Sequence, residues 1–256
     1  IEENYPQHGI YGEELGIKEA FGPFPRYRWI LDPIDGTRAF ISNSFHFGNL
    51  IALERDEGNG FGPILSSIAF PAAGIRAVGW QGGAVLHRNA LGITSENPMK
   101  VRECNRVEDA TLLVTSHWTT SEQVGDSRMQ TLIDRAKLYR TWGDCFGYFA
   151  VASGGADIMI DPDLSYWDVA ALIPVVEGAG GVITSTSPPE REVRCLHGRR
   201  STSRGSAPGA QRLSFFAFPR GFQGECDCDL QAMRKDIFRM DRSAVVLGRL
   251  HGDRQP

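Results

Sequence analysis

The stretch that most constrains this chain is Trp29-Ile-Leu-Asp32-Pro-Ile-Asp35-Gly-Thr37, which closes an apolar, strand-like run from Tyr27 to Leu31. Two carboxylates stand three residues apart, with a proline between them and a glycine behind. Pro33 is barred from a strand interior and pushes Asp32 into an extended conformation. Gly36 allows a close backbone approach, and the first N–H groups of a short helix predicted from Arg38 to Ile41 have no internal partner. Two hard oxygen ligands therefore lie beside an anion-sized nest. Hard cations such as Mg2+ take carboxylate and carbonyl oxygens, keep several waters and bind substrate phosphates. By itself the segment supports two readings: metal-assisted phosphoryl chemistry, or a plain Asx-rich turn between strand and helix.

At 256 residues and 41% hydrophobic, the chain can build one large domain or two small ones around a sizeable core. Its net charge of −4 makes no broad electrostatic case for nucleic acid or membrane binding. No apolar run reaches transmembrane length and no signal-peptide pattern is present, so a soluble, cytoplasmic protein is the expectation. Five scattered cysteines do not describe a disulfide framework, and Cys104 and Cys145 read as buried thiols. The acidic excess lies within residues 1–185, whereas residues 186–256 are net basic.

Ile1 to Tyr5 reads as the end of a helix, closed by Pro6 and Gly9, so N-terminal helices are expected to be missing. Gly12-Glu13-Glu14-Leu-Gly16 reads as a short acidic loop. Strand-like runs follow at 47–53, 63–70 and 75–80, separated by Gly, Asn and Pro. Residues 27–103 are predicted to form one antiparallel sheet covered by helices. A buried strand is predicted at 111–115 and an amphipathic helix at 121–138, with Met129, Leu132, Ile133 and Ala136 on one face. Residues 143–153 read as a helix rich in small residues, stopped by Gly154-Gly155 before a strand at 156–161. Asp168 is well placed to cap the next helix, which Pro174 should kink. For Asp168 in isolation, a plain cap is the simpler reading.

Taken together, Gly12-Glu13-Glu14, Trp29 to Thr37, Gly154-Gly-Ala-Asp157, and Trp167-Asp168-Val-Ala-Ala followed by Glu177-Gly-Ala-Gly-Gly181 resemble the inositol-monophosphatase-type family of Mg2+-dependent, lithium-sensitive phosphatases. Gly143-Asp144-Cys145 with Tyr148 is similar to the histidinol-phosphate phosphatase subgroup. The resemblance covers residues 1–185 and implies an α+β fold, a layered αβαβα sandwich with its active site where two sheets meet. It implies a metal- and phosphate-binding half at 1–105, a substrate-binding half at 106–185 and an atypical basic tail at 186–256.

The resemblance also implies the site. Glu13, Asp32 and the Ile34 carbonyl would hold one Mg2+, Asp32 would bridge to a second that Asp35 and Asp168 complete, and a third would lean on Glu13. Glu13 and the Thr37 hydroxyl would orient the attacking water, and the N–H groups of Gly36 and Thr37 would hold phosphoryl oxygens. Asp144 and Asp161 would meet the cationic end of histidinol, although Asp144 also reads as a helix cap and Asp161 as a strand end. The implied function is hydrolysis of a small phosphate monoester, L-histidinol phosphate ahead of inositol 1-phosphate, without a covalent intermediate. The alternative is a truncated, non-catalytic metal- and phosphate-binding homologue. A small-molecule phosphate ester is the expected partner, with no nucleic acid or membrane, and a homodimer the expected assembly. Residues 186–256 are rich in Arg, Ser and Pro and lack sustained periodicity; only 230–238 reads as helical. They read as a shifted frame or fused foreign sequence, or as a disordered basic extension.

Overall fold

The computed structural model describes residues 1–14, 16–90, 93–185 and 213–219. Strands β1 (Gly9–Gly12), β2 (Gly16–Lys18) and β3 (Arg26–Asp35) lead into the short helix α1 (Thr37–Ile41). Then come β4 (Gly48–Asp56), β5 (Phe61–Phe70), β6 (Ile75–Trp80), β7 (Gly83–Ala90) and β8 (Ile93–Pro98). Together they make an eight-stranded sheet in the order β2-β1-β3-β4-β5-β6-β7-β8, antiparallel except where β1 runs parallel to β3. The predicted meander is therefore present, and the acidic loop around Glu13 connects β1, added beside β3, to the edge strand β2.

Side chains alternate across this sheet with the period of two that a pleated strand imposes. Leu50, Ala52, Glu54 and Asp56 of β4 point inward, as do Ile30 and Asp32 of β3 and Ile68 and Phe70 of β5. The opposite face carries Ile51, Leu65 and Trp80, each about 40% exposed, and among the described residues no helix packs on it.

The second sheet contains β9 (Thr111–Val114), β10 (Leu138–Arg140), β11 (Ile158–Leu164), β12 (Gly181–Ser185) and β13 (Leu213–Pro219), ordered β10-β9-β11-β13-β12. Helices α4 (Asp144–Ala152), α5 (Tyr166–Ala170) and α6 (Leu172–Gly178) lie between the sheets, and α2 (His117–Val124) and α3 (Asp126–Arg135) cover the outer face. The central strands are buried on both faces. Leu113 and Met159 join the core with Ile30 and Val175, while Leu112, Val114, Ile158 and Ile160 pack with Met129 and Leu132. Such two-sided burial produces continuous apolar runs rather than alternation.

Three local expectations are corrected. The helix predicted at 121–138 is split, because Gly125 adopts φ 98°, ψ 126° and divides α2 from α3. Pro174 does more than kink its helix: with no N–H to offer the Ala170 carbonyl, it leaves α5 ending at Ala170 and α6 starting at Leu172. Asp168 is not the N-cap but the third residue of α5; Ser165 caps, and its N–H donates to Asp168 Oδ2 at 2.6 Å.

The strand β13 was not foreseen. Leu-Ser-Phe-Phe-Ala-Phe-Pro sits within the basic tail, yet it pairs antiparallel with both β11 and β12. Its run is short, closed by proline and flanked by Arg/Ser/Pro-rich sequence, so nothing local marks it as a central strand. The helix expected at 230–238 and most of the tail lie outside the described residues.

Candidate active site

The Asp-Pro-Ile-Asp segment ends β3 with a register shift against β4 between Asp32 and Asp35. Pro33 offers no donor there, and Asn49 Nδ2 instead bonds the Pro33 carbonyl. The Ile34 N–H donates to Asp32 Oδ1 at 3.0 Å, an Asx-turn that fixes the first carboxylate. Gly36 follows with φ 79°, ψ 42°, a left-handed conformation that a side chain would strain. A Cβ there would also lie 3.3 Å from Asp144 Oδ2, so the Asp144 carboxylate packs over the turn. Thr37 Oγ1 donates to the Ile34 carbonyl at 3.2 Å.

Ligand atoms of Asp32, Asp35 and Asp168 lie within 4.8 Å of one another, an arrangement that could hold a metal ion. All nine residues singled out from the sequence line one cleft of about 410 Å³: Glu13, Asp32, Ile34, Asp35, Gly36, Thr37, Asp144, Asp161 and Asp168. Glu13 is exposed at its edge, where β1 beside β3 places the Glu13 N–H 3.4 Å from the Leu31 carbonyl.

The cleft concentrates negative charge. Burial, then Asp168 and Glu13, push Asp32 up to about 7. Burial and the neighbouring Asp144 push Asp35 well above the carboxylate range, against the pull of the Cys145 side chain; the Cys145 N–H also donates to Asp35 Oδ2 at 2.6 Å. Asp161 is pushed up to about 7, chiefly by burial. Burial also raises Asp144, with Arg38 and His46 opposing. Crowded, desolvated carboxylates favour a cation among them. The fully buried Tyr148 hydroxyl, within electrostatic reach of Asp161, Asp35, Asp168 and Asp144, has no hydrogen-bond partner among the described residues. Hard oxygen donors, a charge surplus and an orphaned hydroxyl fit a hard divalent cation with its water.

Thr115 escaped the sequence reading. Its hydroxyl accepts from the Asp144 N–H at 2.8 Å and donates to Asp161 Oδ2, so one side chain joins β9, α4 and β11. Arg38, Ser116, Thr119, Thr120 and Asp163 also line the cleft, and none of them has a place in the site as read from the sequence. Arg38 directly follows the motif and was legible there; a threonine at the end of a buried strand carries no such signal. Asp157, in contrast, has a structural place. Fully buried, it takes Arg102 Nε at 2.6 Å and the Thr111 N–H at 2.6 Å, tying the 99–106 segment to β9.

A family model described as the inositol monophosphatase family matches residues 1–208. The chain belongs to that family. Family relatives include the bifunctional phosphatase IMPL2, chloroplastic, of Arabidopsis thaliana, 38% identical over 186 residues, covering 72% of this chain and 49% of the relative. The histidinol-phosphatase of Chlorobaculum parvum is 34% identical over 181 residues, covering 71% of this chain and 64% of the relative. This chain thus spans about half to two thirds of the length of these relatives. The inositol monophosphatase of Zymomonas mobilis superposes with a TM-score of 0.63 at 29% identity, over 91% of this chain and 77% of the other.

Proposed function

We propose that this chain is a Mg2+-dependent phosphatase that hydrolyses a small phosphate monoester, with L-histidinol phosphate as its substrate. The observation that carries the reading is the acidic cleft, where the Asp32, Asp35 and Asp168 cluster adjoins two further carboxylates, half-buried Asp144 and buried Asp161. Histidinol phosphate has a dianionic end and an end bearing an amine and an imidazole. A cleft whose ligand cluster would hold cations and whose remaining carboxylates stay free for a cationic group is complementary to both.

In this reading Glu13, Asp32, the Ile34 carbonyl, Asp35 and Asp168 hold the cations. When bound, these supply positive charge against the phosphoryl oxygens and acidify water near neutral pH. The N–H groups of Gly36 and Thr37, at the open start of α1, receive phosphoryl oxygens. Thr37 gives its proton to the Ile34 carbonyl, which leaves its oxygen lone pairs to accept from the attacking water. Glu13, exposed at the rim, takes the proton from that water as it attacks phosphorus; the ester P–O bond breaks and the departing alkoxide takes a proton from solvent in the open cleft. Asp144 and Asp161 receive the amine and imidazole, with Thr115 between them.

Two observations favour histidinol over inositol phosphate. Histidinol-phosphatases match at 33–34% identity, against 29% for the inositol-1-monophosphatase of Bacillus subtilis. Asp144 also adds a charge that pairs more strongly with a cationic amine or imidazole than with a neutral hydroxyl. The test is phosphate release from both substrates with Mg2+, with EDTA and with added lithium. We expect Mg2+-dependent turnover, inhibition by lithium, and kcat/KM at least about tenfold higher for histidinol phosphate, a difference of ~1.4 kcal/mol. Turnover in EDTA would remove the metal from the mechanism, and preference for inositol phosphate would remove the substrate assignment.

A further inference from the structure

Beneath the metal-ligand cluster lies a buried ion pair that the proposed chemistry does not use. Glu54 of β4 has no exposed surface and stands directly opposite Arg28 of β3. Arg28 gives both Nε, at 2.7 Å, and Nη2, at 2.6 Å, to Glu54 Oε2. The other oxygen, Oε1, accepts the hydroxyl of Tyr166. Tyr166 is the first residue of α5, and Asp168 is the third.

A five-residue helix has almost no stability of its own, because nucleation costs more than one turn of hydrogen bonds returns. Pro174 prevents it from drawing stiffness from α6. Val169 and Ala170 seat it in the central core, and its attachment to the first sheet adds the directional constraint. Tyr11 of β1 stacks on Tyr166, with ring centroids 6.4 Å apart, and meets Trp167 edge-on at 5.5 Å. Those ring contacts can slide, but the phenol-to-carboxylate bond cannot. It is charge-assisted, it lies in a water-excluded interior, and its acceptor is itself fixed by the guanidinium. Asp168 Oδ2 is in turn held by the Ser165 N–H within the same first turn.

We propose that Tyr166 is a positioning residue: its hydroxyl, anchored on the Glu54 carboxylate, fixes α5 so that Asp168 stands in register with Asp32 and Asp35 for cation binding. This rests on Asp168 being a cation ligand. Without the hydroxyl, Glu54 Oε1 is buried and unpaired, and α5 is free to shift by the fraction of an ångström that a hard cation does not tolerate.

The experiment is calorimetric titration of Mg2+ into the full chain, comparing the parent with Tyr166→Phe, Asp168→Asn and Leu132→Ala. The last of these weakens the outer core on α3 without touching α5. We expect Tyr166→Phe to weaken Mg2+ binding by about tenfold, the size typical of partners that orient metal ligands. Leu132→Ala should lose thermal stability but keep Mg2+ affinity within about twofold, because distant sites act independently. Parent-like affinity in Tyr166→Phe overturns the proposal while Asp168→Asn still loses affinity. If Asp168→Asn also binds like the parent, the error lies in taking Asp168 as a ligand. Should Tyr166→Phe fail to fold, Glu54→Gln keeps an acceptor for the hydroxyl but weakens the bond; reduced affinity there supports the anchor, and unchanged affinity rejects it.

Discussion

The backbone N–H of Cys145 donates to Oδ2 of Asp35 at 2.6 Å, joining residues 110 positions apart. This bond sets the start of α4, with its partial positive charge, against a carboxylate of the first sheet. Asp35→Asn keeps an oxygen that can accept the same bond and loses only the negative charge. We therefore expect an intact fold and a loss in kcat of more than about tenfold, over ~1.4 kcal/mol. A variant that keeps more than about a tenth of the parental kcat would show that Asp35 holds no cation.

The metal-free chain should lose stability as pH rises. Asp32 and Asp161 have folded-state values pushed up to about 7 from an ordinary 3.8. Between those limits the folded chain holds more protons than the unfolded one, so stability falls across the window, and Asp35, also raised, adds to the fall. For each carboxylate the full effect is on the order of 4 kcal/mol. In EDTA the melting temperature should be lower near pH 8 than near pH 5, and Mg2+ should raise it most at the higher pH. A melting temperature that is flat or rising in EDTA contradicts the crowded-carboxylate description.

Selectivity should reside in Asp144 and Asp161. A partly desolvated, charge-assisted bond contributes roughly 1.5–3 kcal/mol. Either aspartate changed to Asn should raise KM for histidinol phosphate by about ten- to a hundredfold. The kcat/KM ratio of histidinol phosphate to p-nitrophenyl phosphate should fall with it. Thr115→Val, which removes the hydroxyl shared by both aspartates, should lower the same ratio. Equal losses on both substrates would mean that these residues support the fold or the cations instead.

Gly143 marks a close approach between α4 and β9. A Cβ there would meet Thr115 Cα at 2.1 Å and Oγ1 at 2.4 Å. Its backbone is extended, at φ −99°, ψ −155°, so the obstacle is space rather than dihedral strain. Gly143→Ala should cost about 1–3 kcal/mol in a denaturant melt. An unchanged midpoint would mean that α4 does not seat against Thr115.

Asp157→Ala should destabilise without weakening Mg2+ binding to the folded fraction. Its carboxylate is fully buried and held by Arg102 and the Thr111 N–H, away from the cleft. Arg102 can turn to solvent, but the Thr111 N–H is left buried and unpaired, which costs about 1–3 kcal/mol. A loss of Mg2+ affinity larger than the loss of folded protein would place Asp157 in the site.

The sequence by itself determined what neighbouring residues encode. Proline between two aspartates dictates the turn that ends β3, and alternation marks β4, β5 and β6 because only one face of each is buried. The family motifs likewise named Glu13 and Asp168, distant in sequence, as lining residues of the same cleft. Tertiary structure alone decided the rest. The strand β13 carries no alternation and is recognisable only once β11 and β12 leave a gap for it. Thr115 gains meaning from Asp144 and Asp161, and Tyr166 from Glu54, through bonds spanning 29 to 112 positions. A side chain's type and local period fix what it can bond. Which partner it meets depends on where the chain returns, and that is set by packing of the whole core.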